Sequence, residues 1–186
     1  YTVTDKADGL NMLLFKVGLE DFGETDIERY SEYNDYLYLI DTNFRVYQTK
    51  LKNKHTPYSY IFNGEYIKND AKGNLLNKYG IFDCYLNNGT DVCGYELMSN
   101  DDTKITRITT IENYLKDFLD NSKNDKDFGI FLKNFYIADY KIEGDIFNKS
   151  RVIWENYTSG KENQKINRYY TLDGLIYTPA NLPVGY

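Results

Sequence analysis

The chain has 186 residues, 41% of them hydrophobic and 17% aromatic, enough for one domain with a buried core. With 22 Lys and Arg against 28 Asp and Glu, its formal net charge is −6, which excludes a global basic field able to hold nucleic acid on electrostatics alone, though not a local basic cleft. Two cysteines, Cys84 and Cys93, give neither a disulfide framework nor a structural zinc site and read as free thiols of an intracellular protein. No apolar run is long enough to predict a membrane span, and no basic-then-apolar leader is seen. The 20 tyrosines are read as compositional background, not as a binding signal.

Strand-like patterns fill the first half. TVTDKADG and LNMLLFKV read as two strands joined by a tight turn, and a polar loop, GLEDFGETDIERYSEYND, follows. YLYLIDTNFRVYQTK reads as a hairpin around DTN. YSYIFNGEYIK is a second pair or a bulged strand about Asn63-Gly64. DAKGNLLNK reads as a loop, and YGIFDCYLNNGTDV as a strand ending in a turn at Asn88-Gly89. His55, the single histidine, falls in the polar stretch KNKHTP and reads as a surface residue.

The period then changes. In TRITTIENYLKDFLDNSKN, Ile108, Ile111, Leu115, Phe118 and Leu119 recur at three and four, one face of a helix, with Thr110 and Asn113 as a weak cap. FGIFLKNFYIAD is a buried strand or a helix edge. DIFNKSRVIWENYTSG reads as a helix from Asp145 with Ile146, Val152 and Ile153 on a face. GKENQKINRY reads as a loop, and YYTLDGLIYTPANLPVGY as a strand broken at Thr178-Pro179. Short strands with one or two helices predict an α+β fold with antiparallel sheets. Neither GxGxxG nor GxxxxGK is present.

Four short stretches carry chemistry-bearing residues. In Lys6-Ala7-Asp8-Gly9, a lysine can act as nucleophile once desolvation or nearby positive charge lowers its pKa, and Gly9 permits a close backbone approach. In Asn63-Gly64-Glu65, a glutamate among aromatic and branched residues needs a partner if it faces inward, such as a metal, a lysine or a ribose hydroxyl. In Phe82-Asp83, the ring could stack on a base. In Asp173-Gly174, a second acid–glycine pair could join another carboxylate on Mg²⁺. Each also has a plain alternative: a turn, a wet strand face, a core aromatic and another turn.

In this order, the four stretches resemble the covalent nucleotidyltransferase superfamily of DNA ligases, RNA ligases and mRNA-capping enzymes, over Lys6 to Pro179. Within it, the Tyr-Leu-Ile-Asp strand, the Phe-Asp-Cys-Tyr-Leu-Asn-Asn-Gly run and Asp-Gly-Leu-Ile-Tyr-Thr-Pro are most similar to the guanylyltransferase of large DNA virus capping enzymes, of poxvirus, asfarvirus and mimivirus kind. The resemblance implies an antiparallel-sheet nucleotidyltransferase domain of the DNA ligase and capping-enzyme (ATP-grasp-like) type, spanning residues 1–186. It implies Lys6 as the nucleophile toward the α-phosphate of GTP, giving a lysyl-N-GMP intermediate that passes GMP to 5′-diphosphate RNA. Asp8 and Gly9 would shape the motif, Asn11 would lie at the ribose, and Phe82, or second Tyr79, would stack on guanine. Glu65 and Asp173 would hold Mg²⁺ or Mn²⁺, and Lys133 would be an additional pocket lysine.

Asn11 stands where many members carry arginine, and Asn63 replaces the usual aspartate before Gly-Glu. The family's Lys-x-Lys motif and C-terminal OB-fold do not occur within the 186 residues, so the domain is expected to be incomplete at both ends. Fused triphosphatase and methyltransferase domains, a small partner subunit and no membrane are further expectations. A viral protein of this kind would work in the virion or the host cytoplasm, and a non-viral one inside its cell. Two alternatives stay open: an RNA or DNA ligase carrying AMP on Lys6, and a non-catalytic interaction domain on the same fold.

Overall fold

The computed structural model describes residues 1–18, 36–52, 57–121, 128–158 and 170–185, for 118–121 and 158 the backbone only. His55, most of the polar loop before Tyr36 and all of GKENQKINRY lie outside them, as do the side chains of Phe118 and Leu119. Among the described residues, two sheets and two helices form the fold. The larger sheet holds seven strands. Its main path runs β4 (Val46–Lys52), β3 (Tyr36–Asp41), β2 (Leu10–Lys16), β5 (Tyr60–Asn69), β6 (Leu75–Asn87) and the short β7 (Thr90–Asp91). A parallel strand, β8 (Gly129–Leu132), adds to β6. The smaller sheet sets β1 (Thr2–Ala7) between β10 (Leu172–Thr178) and β9 (Phe135–Ile137).

β1 and β2 do not pair, which corrects the expectation of a turn closing two neighbouring strands. At Asp8-Gly9 the chain leaves one sheet and enters the other. Thr2, Val3, Thr4 and Asp5 are all buried, because β1 is a central strand. β2 alternates instead, with Met12, Leu14 and Lys16 inward. Gly9 eases the crossing, where a Cβ would come within 3.1 Å of the Glu65 Cβ and the Tyr66 carbonyl oxygen, tighter than most such contacts. A second crossing follows β8: the stretch expected to be one strand or a helix edge is two strands in different sheets, with Lys133 and Asn134 between them.

β5 is a single strand, and the bulge expected about Asn63-Gly64 lies on its partner, β6. Across β5–β6 the register runs Asn63↔Asp83 and then Gly64↔Ile81, so Phe82 is the extra residue of a bulge. The hairpin of β3 and β4 turns on Asp41, whose Oδ1 accepts from the backbone N–H of Asn43 and of Arg45 at 2.8 and 2.9 Å. Asp70 closes the β5–β6 turn in the same way, and β6 already begins at Leu75, inside the stretch expected to be loop.

α1 (Arg107–Asn121) buries Ile108, Ile111 and Leu115, with Tyr114 added to the expected stripe. Its cap is Thr106 with Thr109, not Thr110 with Asn113: the Thr109 N–H donates to the Thr106 hydroxyl, and the Thr106 N–H to the Thr109 hydroxyl, at 3.2 and 2.9 Å. α1 lies against β6 and β8 and closes the main core, where Tyr114 tilts against Phe62 at 4.7 Å between ring centres. α2 (Asp145–Thr158) covers β1 and β9. Its inward face runs through Ile146, Ser150 and Ile153, while Val152 is 43% exposed.

Candidate functional site

The two crossings meet where the sheets meet. Lys6, next to last in β1, points outward with its side chain 46% exposed, and its ammonium is paired with the carboxylate of Asp173. The pairing is built by a bulge. Asp5 faces Leu175 and Ala7 faces Leu172, so Asp173 and Gly174 together oppose Lys6. Gly174 takes φ +124°, a conformation open to glycine, and the bend turns Asp173 to the lysine. The hydrogen bond from Lys6 to Asp173, then the Asp173 charge, raise the Lys6 pKa above that of an ordinary lysine, and the Glu65 and Asp8 charges add to it. Lys6 is therefore a charged ammonium at neutral pH. Lowering its pKa would take loss of the Asp173 contact or a competing positive charge.

Beneath Lys6 lies a buried ionic layer. Glu65 Oε2 accepts from the Lys133 ammonium at 2.8 Å and from the Ala7 N–H at 3.3 Å. Lys133 Nζ also lies 3.8 Å from Asp5 Oδ2, which accepts the Tyr170 hydroxyl at 2.6 Å. Burial, and then the neighbouring Asp5 charge, push the Tyr170 hydroxyl pKa far up, so it stays a donor. The layer ties β1 to β5 through one lysine. Both Glu65 contacts fall on Oε2, which leaves Oε1 for a ligand.

The sequence-predicted residues sort themselves in this frame. Lys6, Asp8, Gly9, Glu65 and Asp173 come together, and Asn11 faces Glu65 across β2–β5 on the exposed side. Phe82 is half-buried, with its ring centre 5.9 Å from Lys133 Nζ. Lys133 is at the site but fully buried, its charge engaged by Glu65 and Asp5, so its role here is to hold carboxylates. Tyr79 departs from the expectation. It is 0% exposed and donates its hydroxyl to the Met12 carbonyl at 2.6 Å, a core position with no ring face open to a base. Asp83 points elsewhere, taking Arg107 Nε at 2.6 Å and Nη2 at 3.4 Å. Arg107 also donates to the carbonyls of Tyr95 and Leu182, fastening α1 and the C-terminal segment to β6.

Sequence reasoning missed Asp5 and Tyr170. Asp5 directly precedes Lys6, and strand alternation puts it on the opposite face; that was the available signal. Tyr170 offers none among so many tyrosines. For a metal, the exposed carboxylate of Asp173 and the Glu65 Oε1 supply hard oxygen donors, the type Mg²⁺ takes. Among the described residues no three His, Cys, Asp or Glu form a cluster that could cage a metal. Two carboxylates with substrate phosphates completing the shell is a usual way to hold Mg²⁺.

No protein-family profile matches the chain. The chain is 27% identical over 214 aligned residues to a protein of Acanthamoeba polyphaga mimivirus described as a probable mRNA-capping enzyme. That match takes in 98% of this chain and 16% of the relative's length, so the likeness spans nearly all of one and a small part of the other.

Proposed function

We propose that this chain is the nucleotidyltransferase part of an mRNA-capping enzyme, with Lys6 as the residue that carries GMP. The observation that carries the reading is the meeting of Lys6 with Asp173, 167 positions away, and with Glu65, inside three of the four stretches that resemble the family. The likeness to the mimivirus protein supports capping over ligation.

In the first step Lys6 Nζ attacks the α-phosphorus of GTP. A P–N bond forms, the P–O bond to pyrophosphate breaks, and the bonding pair leaves with pyrophosphate. The ammonium gives up two protons, one before attack and one from the adduct. Asp173, already in hydrogen-bond contact, is the acceptor that passes them to solvent. In the second step a terminal phosphate oxygen of 5′-diphosphate RNA attacks the same phosphorus, the P–N bond breaks, and Lys6 takes back its protons. Phe82 offers a half-buried ring for the base, and Asn11 an exposed amide beside Glu65 for the ribose. Mg²⁺ or Mn²⁺, when bound by Asp173 and Glu65, would neutralise charge on the triphosphate and the departing pyrophosphate.

The test is incubation with α-labelled GTP or ATP and Mg²⁺, followed by denaturing electrophoresis. A covalent adduct with GTP that disappears in Lys6→Ala is the expected result. An adduct with ATP alone would replace capping by ligation, and an adduct that survives Lys6→Ala would remove Lys6 from its role.

A further inference from the structure

Along β5, Phe62 and Tyr66 point to the main core, so Asn63 and Glu65 take the other face of the strand. Register sets Asn63 opposite Asp83 on β6, next to the bulged Phe82. The Phe82 ring lies on the same face as Glu65, since its centre is 5.9 Å from the Lys133 ammonium that holds that carboxylate. Asn63, Phe82 and Tyr85 are all half-buried, which leaves this stretch of the face within reach of a ligand.

Two hydrogen-bonding groups here are unspent. Asn63 Nδ2 donates to the Tyr85 hydroxyl at 2.7 Å. That bond uses the hydroxyl oxygen and leaves its O–H without an acceptor among the described residues. The other half of the amide, Asn63 Oδ1, is buried with no hydrogen-bond partner, the one such side-chain atom among the described residues. A buried carbonyl oxygen in that state has lost water and gained no bond, which is a cost to the fold. Burial, and then the Asp83 charge, raise the Tyr85 pKa, so its hydroxyl stays a donor. A small turn of the Asn63 amide about χ2, a soft torsion in asparagine, brings Oδ1 to the open side. The pair then presents a donor and an acceptor side by side, next to an aromatic ring.

A purine base suits that arrangement, with its face on Phe82 and its edge on the pair. Guanine presents O6, an acceptor, beside N1–H, a donor. Adenine presents the reverse at the same two positions, a 6-amino donor beside an N1 acceptor. Donor would then meet donor, and acceptor would meet acceptor. We infer that Asn63 and Tyr85 read the base of the nucleotide that reaches Lys6, Tyr85 donating to guanine O6 and Asn63 Oδ1 accepting from N1–H, and so select GTP over ATP. This rests on the capping reading for the fate of the nucleotide, whereas base selection is a binding property that is measured without transfer.

The experiment is equilibrium dialysis of the whole protein with labelled GTP, ATP and inosine triphosphate in Mg²⁺, with adduct formation followed in parallel. GTP should bind at least about tenfold more tightly than ATP, because a base with the wrong edge leaves both groups unpaired. Inosine triphosphate, which keeps O6 and N1–H and lacks the 2-amino group, should match GTP. Tyr85→Phe and Asn63→Leu should each lower the GTP-to-ATP ratio about tenfold. Asn63→Asp, which keeps an acceptor oxygen, should preserve it. A change that merely loosened the fold would weaken both nucleotides alike, so a ratio that neither Tyr85→Phe nor Asn63→Leu alters overturns the inference. Preference for ATP, inosine triphosphate bound no better than ATP, or failure of every nucleotide to bind would overturn it too. If GTP forms the adduct while the ratio ignores both residues, the capping reading stands and this assignment falls. If GTP is preferred through both residues and no adduct forms, the assignment stands and the capping reading falls.

Discussion

Lys6 and Asp173 show the chemistry of the site at the scale of single residues. Their contact sets the lysine in place and keeps it protonated, since the raised pKa means that proton loss is delayed to higher pH than for a free lysine. The sign is plain: the neutral, reactive fraction grows tenfold per pH unit below the pKa, so acylation of Lys6 by an amine-directed reagent should climb with pH and remain behind that of exposed lysines. Asp173→Ala removes both leading causes of the shift, the hydrogen bond and the charge. The acylation profile of Lys6, followed by peptide mass spectrometry, should then move to lower pH. A profile that stays in place would show that Asp173 does not govern the lysine. This measurement needs neither metal nor nucleotide, so it separates the electrostatics of the pair from any catalytic part Asp173 plays.

At the scale of elements the bulges decide what reaches the site. Gly64 lies in β5 where a Cβ would meet the Gly80 carbonyl oxygen at 2.5 Å and the Tyr79 ring at 2.6 Å, so β5 and β6 come together only because the position is glycine. Gly64→Ala should cost about 2 kcal/mol in urea unfolding, as overpacking against backbone does. It should also disturb the neighbouring Glu65; an unchanged unfolding midpoint would mean that the bulge yields freely. The elements themselves were largely legible. The helix period at Ile108, Ile111 and Leu115 gave α1, and Asp41 and Asn88-Gly89 marked real turns. Partners were not legible. The turn at Asp8-Gly9 is visible in the sequence, but nothing local says that the strands on either side join different sheets. Strand pairing is set by contacts far along the chain, such as Asp5 with Leu175. The same holds for site residues. The four stretches announced Lys6, Glu65 and Asp173 by type and order, whereas the burial of Asp5 and the loss of Tyr79 to the core depend on which face each strand turns inward.

At the scale of the molecule, the two sheets are joined at the site by one buried cation. Lys133 is 1% exposed and lies between Glu65 of the larger sheet and Asp5 of the smaller. Other described pairs do not do this work: Arg107–Asp83 is buried but ties α1 to β6, and Lys104–Glu96 and Arg151–Glu155 are largely exposed and screened by solvent. Removing one member of a buried group leaves the others uncompensated and costs about 3–5 kcal/mol, while replacing the whole group by neutral side chains costs far less. Lys133→Met should therefore lower the urea midpoint sharply, by more than either Lys104→Ala or Arg151→Ala. Joining it to Glu65→Gln and Asp5→Asn should restore most of the loss, although the triple variant gives up Glu65 as a ligand. If the triple variant is no more stable than Lys133→Met alone, the layer holds the sheets by packing and not by charge. Recovery of stability without recovery of adduct formation would show that the charges beneath Lys6 serve the reaction, and that the fold could stand without them.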